Sequence, residues 1–125
     1  MDIRPAIIVE GKNDRSKLYA ILDEAAIDIY CTFGTPGTGK LEQLSCDVGE
    51  RPVYIFTDND IPGKKIRAML RDTFPDAAHI HTNRGYAGVE GSPLDYLVER
   101  LVKAGLEDYL LPEADSLSDG QQINN

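Results

Sequence analysis

The order of apolar runs along the chain predicts an α/β domain, a four-stranded parallel sheet flanked by helices on both faces. Three observations predict it. Short runs rich in Val, Ile and aromatic residues, at 6–9, 27–33, 53–57 and 77–82, alternate with stretches whose apolar residues recur at helical spacing. Strict alternation of this kind produces a parallel sheet with right-handed crossovers. The run V-Y-I-F-T at 53–57 carries no charge, as a strand buried on both faces requires. Two carboxylates, Asp58 and Asp60, follow it at once, and Pro62 stands where the next helix begins. A strand order of 2-1-3-4 is expected, with the first and third strands side by side.

Each element has its own local reason. A-I-I-V at 6–9 ends on Glu10 and reads as the first strand. G-K-N-D-R-S turns the chain, with Asn13 as the expected N-cap, and Leu18, Ile21, Leu22 and Ala25 continue at helical spacing. Residues 27–33 alternate with an apolar bias and form the second strand. The loop G-T-P-G-T-G leads into a short helix near 40–46, and residues 47–51 turn into the third strand. Pro62 opens the third helix, where its missing N–H costs nothing. Ile66, Met69, Leu70 and Thr73 keep the apolar rhythm, and F-P-D ends it. After the fourth strand comes a loop with glycines at 85, 88 and 91. S-P-L-D at 92–95 reads as a capping box with proline at the first helical position. That helix is expected to bury Leu94, Leu97, Val98, Leu101 and Val102 and to stop at Gly105. Residues 1–106 are read as one domain. Residues 107–125 are read as an acidic segment, disordered beyond about residue 112.

The 125 residues are 42% hydrophobic and 27% charged, the composition of a soluble globular domain. No apolar run approaches the roughly 20 residues of a membrane span, and the start M-D-I-R-P lacks a signal pattern. No membrane association is expected. Cys31 and Cys46 make neither a metal motif nor a disulfide framework, so reduced thiols and a cytoplasmic location are expected. The net charge of −8 argues against broad non-specific affinity for nucleic acid. Much of it lies in Glu107, Asp108, Glu113, Asp115 and Asp119, within a segment that has no Lys or Arg. The body of the domain can therefore carry a local basic face.

The 2-1-3-4 order brings Glu10, Asp58 and Asp60 to the switch point, at the sheet end where open α/β folds bind ligands. Three converging carboxylates repel one another unless a cation joins them, and hard oxygen ligands suit Mg²⁺ or Mn²⁺. Taken alone, Asp58-Asn59-Asp60 is ordinary turn and cap chemistry. Glu10 at the end of another strand shifts the balance, and so do the cations nearby. Lys64, Arg67 and Arg71 share one helical face with Lys65 beside it, while Lys12 and Arg15 follow Glu10. A basic rim around an acidic centre suits a phosphodiester and a metal. Arg84 is a further candidate phosphate contact, and Glu90 an accessory group in the same glycine-rich loop. Other patterns fail on inspection. Gly34 to Lys40 has P-loop spacing, but Leu41 stands where Ser or Thr is needed and Pro36 removes a backbone donor. An EF-hand would need ligands at Pro62 and Met69. His79 and His81 point the same way, as polar residues on the exposed face of an edge strand do.

I-I-V-E-G-K-N-D at 7–14, T-F-G-T at 32–35 and I-F-T-D-N-D-I-P-G-K-K-I-R at 55–67 together resemble the toprim domain. That superfamily includes topoisomerase and primase catalytic domains, overcoming-lysogenization-type nucleases and the 5S rRNA-maturing ribonuclease. The chain is most similar in pattern to the toprim domain of that ribonuclease and to small stand-alone toprim proteins. The ribonuclease pattern D-x-D-x-P-G-x-K-I-R fits Asp58 to Arg67, and G-V-E fits Gly88-Val89-Glu90. The resemblance covers residues 5 to 100. It implies a toprim fold, Mg²⁺ at Asp58 and Asp60, Glu10 as a general acid/base and further ligand, and Thr32 and Gly34 in the glycine turn. It also implies metal-dependent, nuclease-like phosphodiester chemistry on RNA or DNA, with rRNA processing as the related role. Two departures bear on this. Topoisomerases carry a further Glu where Pro62 stands, and none of the six tyrosines matches their nucleophile. The maturase also continues well beyond its toprim domain. A non-catalytic module that binds nucleic acid or protein, with a protein partner supplying further surface, is therefore the alternative.

Overall fold

A computed structural model describes residues 3–83 and 85–114. The expectations for Arg84 and for residues 115–125 lie outside the described residues. The elements run β1 (Ala6–Val9), α1 (Lys12–Tyr19), β2 (Asp28–Cys31), α2 (Thr38–Val48), β3 (Val53–Ile55), α3 (Ile61–Thr73), β4 (Ala78–His79) and α4 (Leu94–Lys103). All strand pairs are parallel and the order is β2-β1-β3-β4, as the alternation predicts. Ala6 lies opposite both Asp28 and Val53, and Ile8 opposite Tyr30 and Ile55. The central strands therefore finish level and deliver Glu10 and Asp58 to the same edge of the sheet.

The period-two alternation of strand side chains divides the core into two layers. Ile7 and Val9 face α1 and α4, packing with Leu18, Leu97, Val98 and Leu101. Ala6 and Ile8 face α2 and α3, packing with Leu44, Val48, Ile66 and Leu70. The strands are shorter than the apolar runs suggest, because the ladder frays at the carboxyl end into single bonds. Phe56 N–H still reaches Ile8 C=O at 2.9 Å, and Ile80 N–H reaches Ile55 C=O at 2.9 Å. That splaying opens the space in which the site sits.

Several local expectations are corrected. The cap of α1 is Gly11, not Asn13, and the Asp14 carboxylate accepts the Gly11 N–H at 3.0 Å. Helix α2 is longer than 40–46, because Gly37 caps it in an extended conformation and Thr38 and Gly39 join its first turn. Ser92 forms no capping box. Its buried hydroxyl donates to Gly88 C=O at 2.6 Å, and Pro93 takes the N-cap position. Leu94 is 37% exposed, so the buried face of α4 starts at Leu97. Gly105 does stop α4, in the left-handed conformation at φ +86°. Leu106 N–H reaches Leu101 C=O at 3.0 Å and Gly105 N–H reaches Val102 C=O at 3.0 Å, a Schellman motif. Packing continues past residue 106. A short 3₁₀ turn at Glu107–Tyr109 precedes an antiparallel bridge between Leu110 and Leu22, and Ala114 is buried.

Candidate functional site

Glu10 leaves β1, Asp58 follows β3, and Asp60 caps α3 by accepting the Gly63 N–H at 2.7 Å. One carboxylate oxygen from each lies within 4.8 Å of the others. Glu10 and Asp58 are half-buried and Asp60 is exposed, so the cluster opens to solvent on one side. The backbone holds the geometry. Glu10 Oε2 accepts the Asp58 N–H at 2.6 Å, tying the two strand ends together. Asp58 Oδ1 accepts the Val89 N–H at 3.3 Å. Two glycines make room for Asp58: a Cβ on Gly63 would collide with its carbonyl oxygen, and a Cβ on Gly88, at φ +67°, with its carboxylate. Buried Thr57 donates to Gly63 C=O at 3.1 Å and pins the turn.

Burial is the main cause that pushes both Glu10 and Asp58 above the ordinary carboxylate range. The Asp58 N–H lowers Glu10, and the negative charges of Asp58, Asp60 and Asp14 raise it further. The Val89 N–H lowers Asp58, while Asp60 and Glu90 raise it. None of the three cluster carboxylates makes an ion pair among the described residues. Hard oxygen donors with uncompensated charge and an open side fit a divalent cation that also takes ligands from outside the protein. The three residues able to hold it are Asp58, Asp60 and Glu10.

The surrounding residues divide into those the structure brings to the rim and those it does not. Lys12, Lys64, Lys65 and Arg71 are exposed and Arg15 is half-buried. Lys12 opens α1, and Lys64 and Lys65 lie early in α3, whose first turn has no acid. Cations near a helix N-terminus oppose the helix dipole, so local helix stability does not account for them. Arg67 is a correction. It does not stand on an exposed face with Lys64 and Arg71 but is only 8% exposed. Its guanidinium fills the fork where β3 and β4 diverge, donating to the carbonyls of Ile55 at 3.2 Å, Thr57 at 2.9 Å and Ile80 at 2.7 Å. It also donates to His79 Nδ1 at 3.0 Å. Burial brings its pKa down to about 10, against a raising effect from Glu10. Lys40 lies within α2 and its Nζ stands over the Phe33 ring.

Thr32 is buried with its hydroxyl unpartnered among the described residues, and Gly34 turns the chain at φ +96°. Glu90 is exposed and belongs to a clasp that the sequence did not disclose. Asp14 is 9% exposed and binds the Gly11 N–H with one oxygen and the Glu90 N–H with the other, at 3.2 Å. Lys17 donates to Glu90 C=O at 2.9 Å, and Asn13 to Glu90 Oε1 at 3.4 Å. The loop that supplies Gly88 and Val89 to Asp58 is thereby locked to the turn that carries Glu10. An acid three residues after a helix-capping glycine was the available signal, since that spacing belongs to capping chemistry.

No family model matches the chain. A solved structure of a small toprim domain protein from Bacillus stearothermophilus superposes with a TM-score of 0.80, at 33% identity, over 91% of this chain and 94% of that one. The chain belongs to the small toprim domain proteins. This toprim protein is also 35% identical to YusF of Bacillus subtilis (strain 168) over 105 residues, 84% of this chain and 71% of YusF. It is 36% identical to ribonuclease M5 of Bacillus anthracis over 80 residues, 63% of this chain and 42% of the ribonuclease. Against ribonuclease M5 of Lactococcus lactis the values are 32% over 90 residues, 71% of this chain and 42% of the ribonuclease. The toprim protein is thus related to ribonucleases, and its match spans less than half the length of each of these two. Among the described residues no helix is long and apolar enough to cross a membrane.

Proposed function

We propose that this toprim protein carries out divalent-metal-dependent hydrolysis of a phosphodiester in a structured nucleic acid, with structured RNA the first substrate to test. The observation that carries the reading is the convergence of Glu10, Asp58 and Asp60 at the switch point, within 4.8 Å and without an ion pair among the described residues. Asp58 and Asp60 would hold Mg²⁺ or Mn²⁺, with Glu10 beside them. A cation so held supplies neutralisation of charge at the phosphate. Glu10, fixed through the Asp58 N–H, manages a proton at its free carboxylate oxygen. Lys12, Arg15, Lys64 and Lys65 position the backbone, and Arg67 supports the fork beneath rather than touching substrate. Arg71, expected beside them, stands in the last turn of α3, at the far end of that helix from Asp60, and leaves the contact set. The relation to ribonuclease M5 supports RNA as the substrate class.

The test is a cleavage screen on structured RNA, duplex DNA and single strands with Mg²⁺ or Mn²⁺, beside calorimetric metal titration. Wild type should bind the metal and cut, and Asp58→Asn/Asp60→Asn should do neither. Equal metal binding by both proteins would remove these residues as ligands. The net charge of −8 favours one other reading, a toprim module that binds nucleic acid or a protein partner without cutting. Binding without turnover under either metal would select it.

A further inference from the structure

Phe33 breaks two rules at once, and neither packing nor propensity explains it. Its backbone is in the left-handed region at φ +56°, the only non-glycine residue so placed among the described residues. Bulky L residues avoid that region because Cβ crowds the carbonyl. Burial does not repay the strain, since the Phe33 ring is 64% exposed. Phe56 and Phe74 are buried, so Phe33 is the phenyl ring that the described fold leaves in water.

Its surroundings say what the ring serves. The Phe33 N–H donates to the Glu10 carbonyl at 2.7 Å, so the strained residue is fastened directly to the residue that carries the candidate catalytic carboxylate. Lys40 Nζ lies 5.6 Å from the ring centroid, which steadies the ring and sets a cation beside it. Arg15 in α1 and Lys40 in α2 set positive charge near this end of β2, with Asp14 in α1 as a negative charge beside them. Backbone strain at a site is informative when the surrounding structure imposes it. Here an exposed aromatic ring is carried by a residue hydrogen-bonded to the Glu10 backbone, with Lys40 over the ring.

Resting on the nucleic-acid reading above, we infer that Phe33 is a stacking platform for an unpaired nucleobase next to the scissile phosphate. Every base has a π-face, so such a platform selects strandedness rather than sequence. The preferred substrate then has an unpaired nucleotide at the cut, in a loop, a bulge or a frayed end. A fully paired duplex keeps its bases stacked on one another and leaves the ring unused. RNA and DNA share this chemistry, and the two single strands are separate arms of the test.

The chain has no tryptophan, so Phe33→Trp places a sole indole at the platform. Wild type, Phe33→Trp, Phe33→Leu and Phe33→Ala would be titrated with labelled single-stranded RNA, single-stranded DNA and blunt duplexes. Ca²⁺ would replace Mg²⁺, and circular dichroism would confirm folding. Single strands of one or both sugars should quench the Phe33→Trp fluorescence, and duplexes should not. Phe33→Ala and Phe33→Leu should bind those single strands about tenfold more weakly, the cost of one lost stack. Their duplex binding should be unchanged. Phe33→Trp should match or exceed wild type. Wild-type affinity in both Phe33→Ala and Phe33→Leu, or bound single strands that leave the indole unquenched, would overturn the platform and leave the proposed function standing. If no variant and not even wild type binds any nucleic acid, the proposed function fails and takes this inference with it.

Discussion

Asp28 opens β2 at the amino end of the sheet, while Glu10 and Asp58 lie just past β1 and β3 at the carboxyl end. Asp28 sits between two guanidinium groups, Arg4 at 2.6 Å and Arg51 at 2.5 Å. Arg51 also donates to the Tyr30 hydroxyl at 2.6 Å and to Val48 C=O, so it clasps α2 to the sheet. The Arg4 hydrogen bond is the main reason that Asp28 is held below the usual carboxylate range, with Arg51 adding to it. At the other end the carboxylates have backbone N–H donors and one another, and burial drives them up. One edge of the sheet completes its own electrostatics and the other does not. The difference teaches where an external cation and a phosphate are expected to complete the domain. Acid content by itself does not separate the two ends.

The largest test of this comparison is a matched pair of isosteric changes. Glu10→Gln should lower the cleavage rate by roughly 10²- to 10⁴-fold and keep the far-ultraviolet circular dichroism of wild type. Asp28→Asn should leave the rate within about threefold, since it stands at the opposite edge. Equal losses in steady-state cleavage would show that the two ends are not functionally distinct.

A second prediction concerns the fork beneath the site. Arg67→Met strips the donors from three buried carbonyls and should destabilise the domain by about 3–5 kcal/mol. Arg71→Ala, one turn on and exposed, should stay within about 0.5 kcal/mol. Urea midpoints decide the matter, and a wild-type midpoint for Arg67→Met would return Arg67 to the substrate-contact residues.

Smaller still, Asp28→Asn should cost about 1–2 kcal/mol, because its charge-assisted bonds are partly solvated. Asp58→Asn should be neutral or slightly stabilising in metal-free buffer, since it removes like-charge repulsion. Thermal melts in a chelator compare the two, and a larger loss in Asp58→Asn would reverse the contrast between the two ends of the sheet.

The two ends should also respond to pH with opposite signs. Glu10, Asp14 and Asp58 have raised values in the fold. The folded state therefore holds more protons than the unfolded chain above the ordinary carboxylate range near pH 4, and stability falls as pH rises through the raised values. Asp28 is lowered. Its contribution is present above its unfolded value and is lost as pH falls through its lower folded value. Urea unfolding from pH 3 to 8 without metal should show both limbs. Asp58→Asn should flatten the upper limb and Asp28→Asn the acid limb. Adding Mg²⁺ or Mn²⁺ should recover the upper-limb loss in wild type alone, and recovery in Asp58→Asn/Asp60→Asn would place the cation elsewhere.

By itself the sequence determined the architecture and the acidic centre. Apolar periodicity, the proline that opens α3 and the glycine that closes α4 are properties of a few neighbouring residues, and each element's kind follows from them. Parallel alternation then leaves few topologies, which is why Glu10 and Asp58 could be brought together across the 48 residues that separate them. Tertiary structure alone decided the rest. Arg67 reads as one more exposed cation on a basic helix, and only the divergence of β3 and β4 creates the carbonyls that draw it inward. Asp14 reads as a helix-start acid, and only the return of the 85–92 loop gives it a second donor. Gly63 reads as part of the third helix and Gly88 as a loop glycine until the Asp58 carbonyl and carboxylate occupy the space a Cβ would need. Residues 107–114 read as the start of a solvated acidic tail, yet Leu110 and Ala114 find apolar surface beside Leu22 and Leu111. In each case the deciding partner is distant in the chain. Local pattern sets the kind of element, while burial and hydrogen-bond satisfaction depend on which groups the folded sheet leaves unpaired.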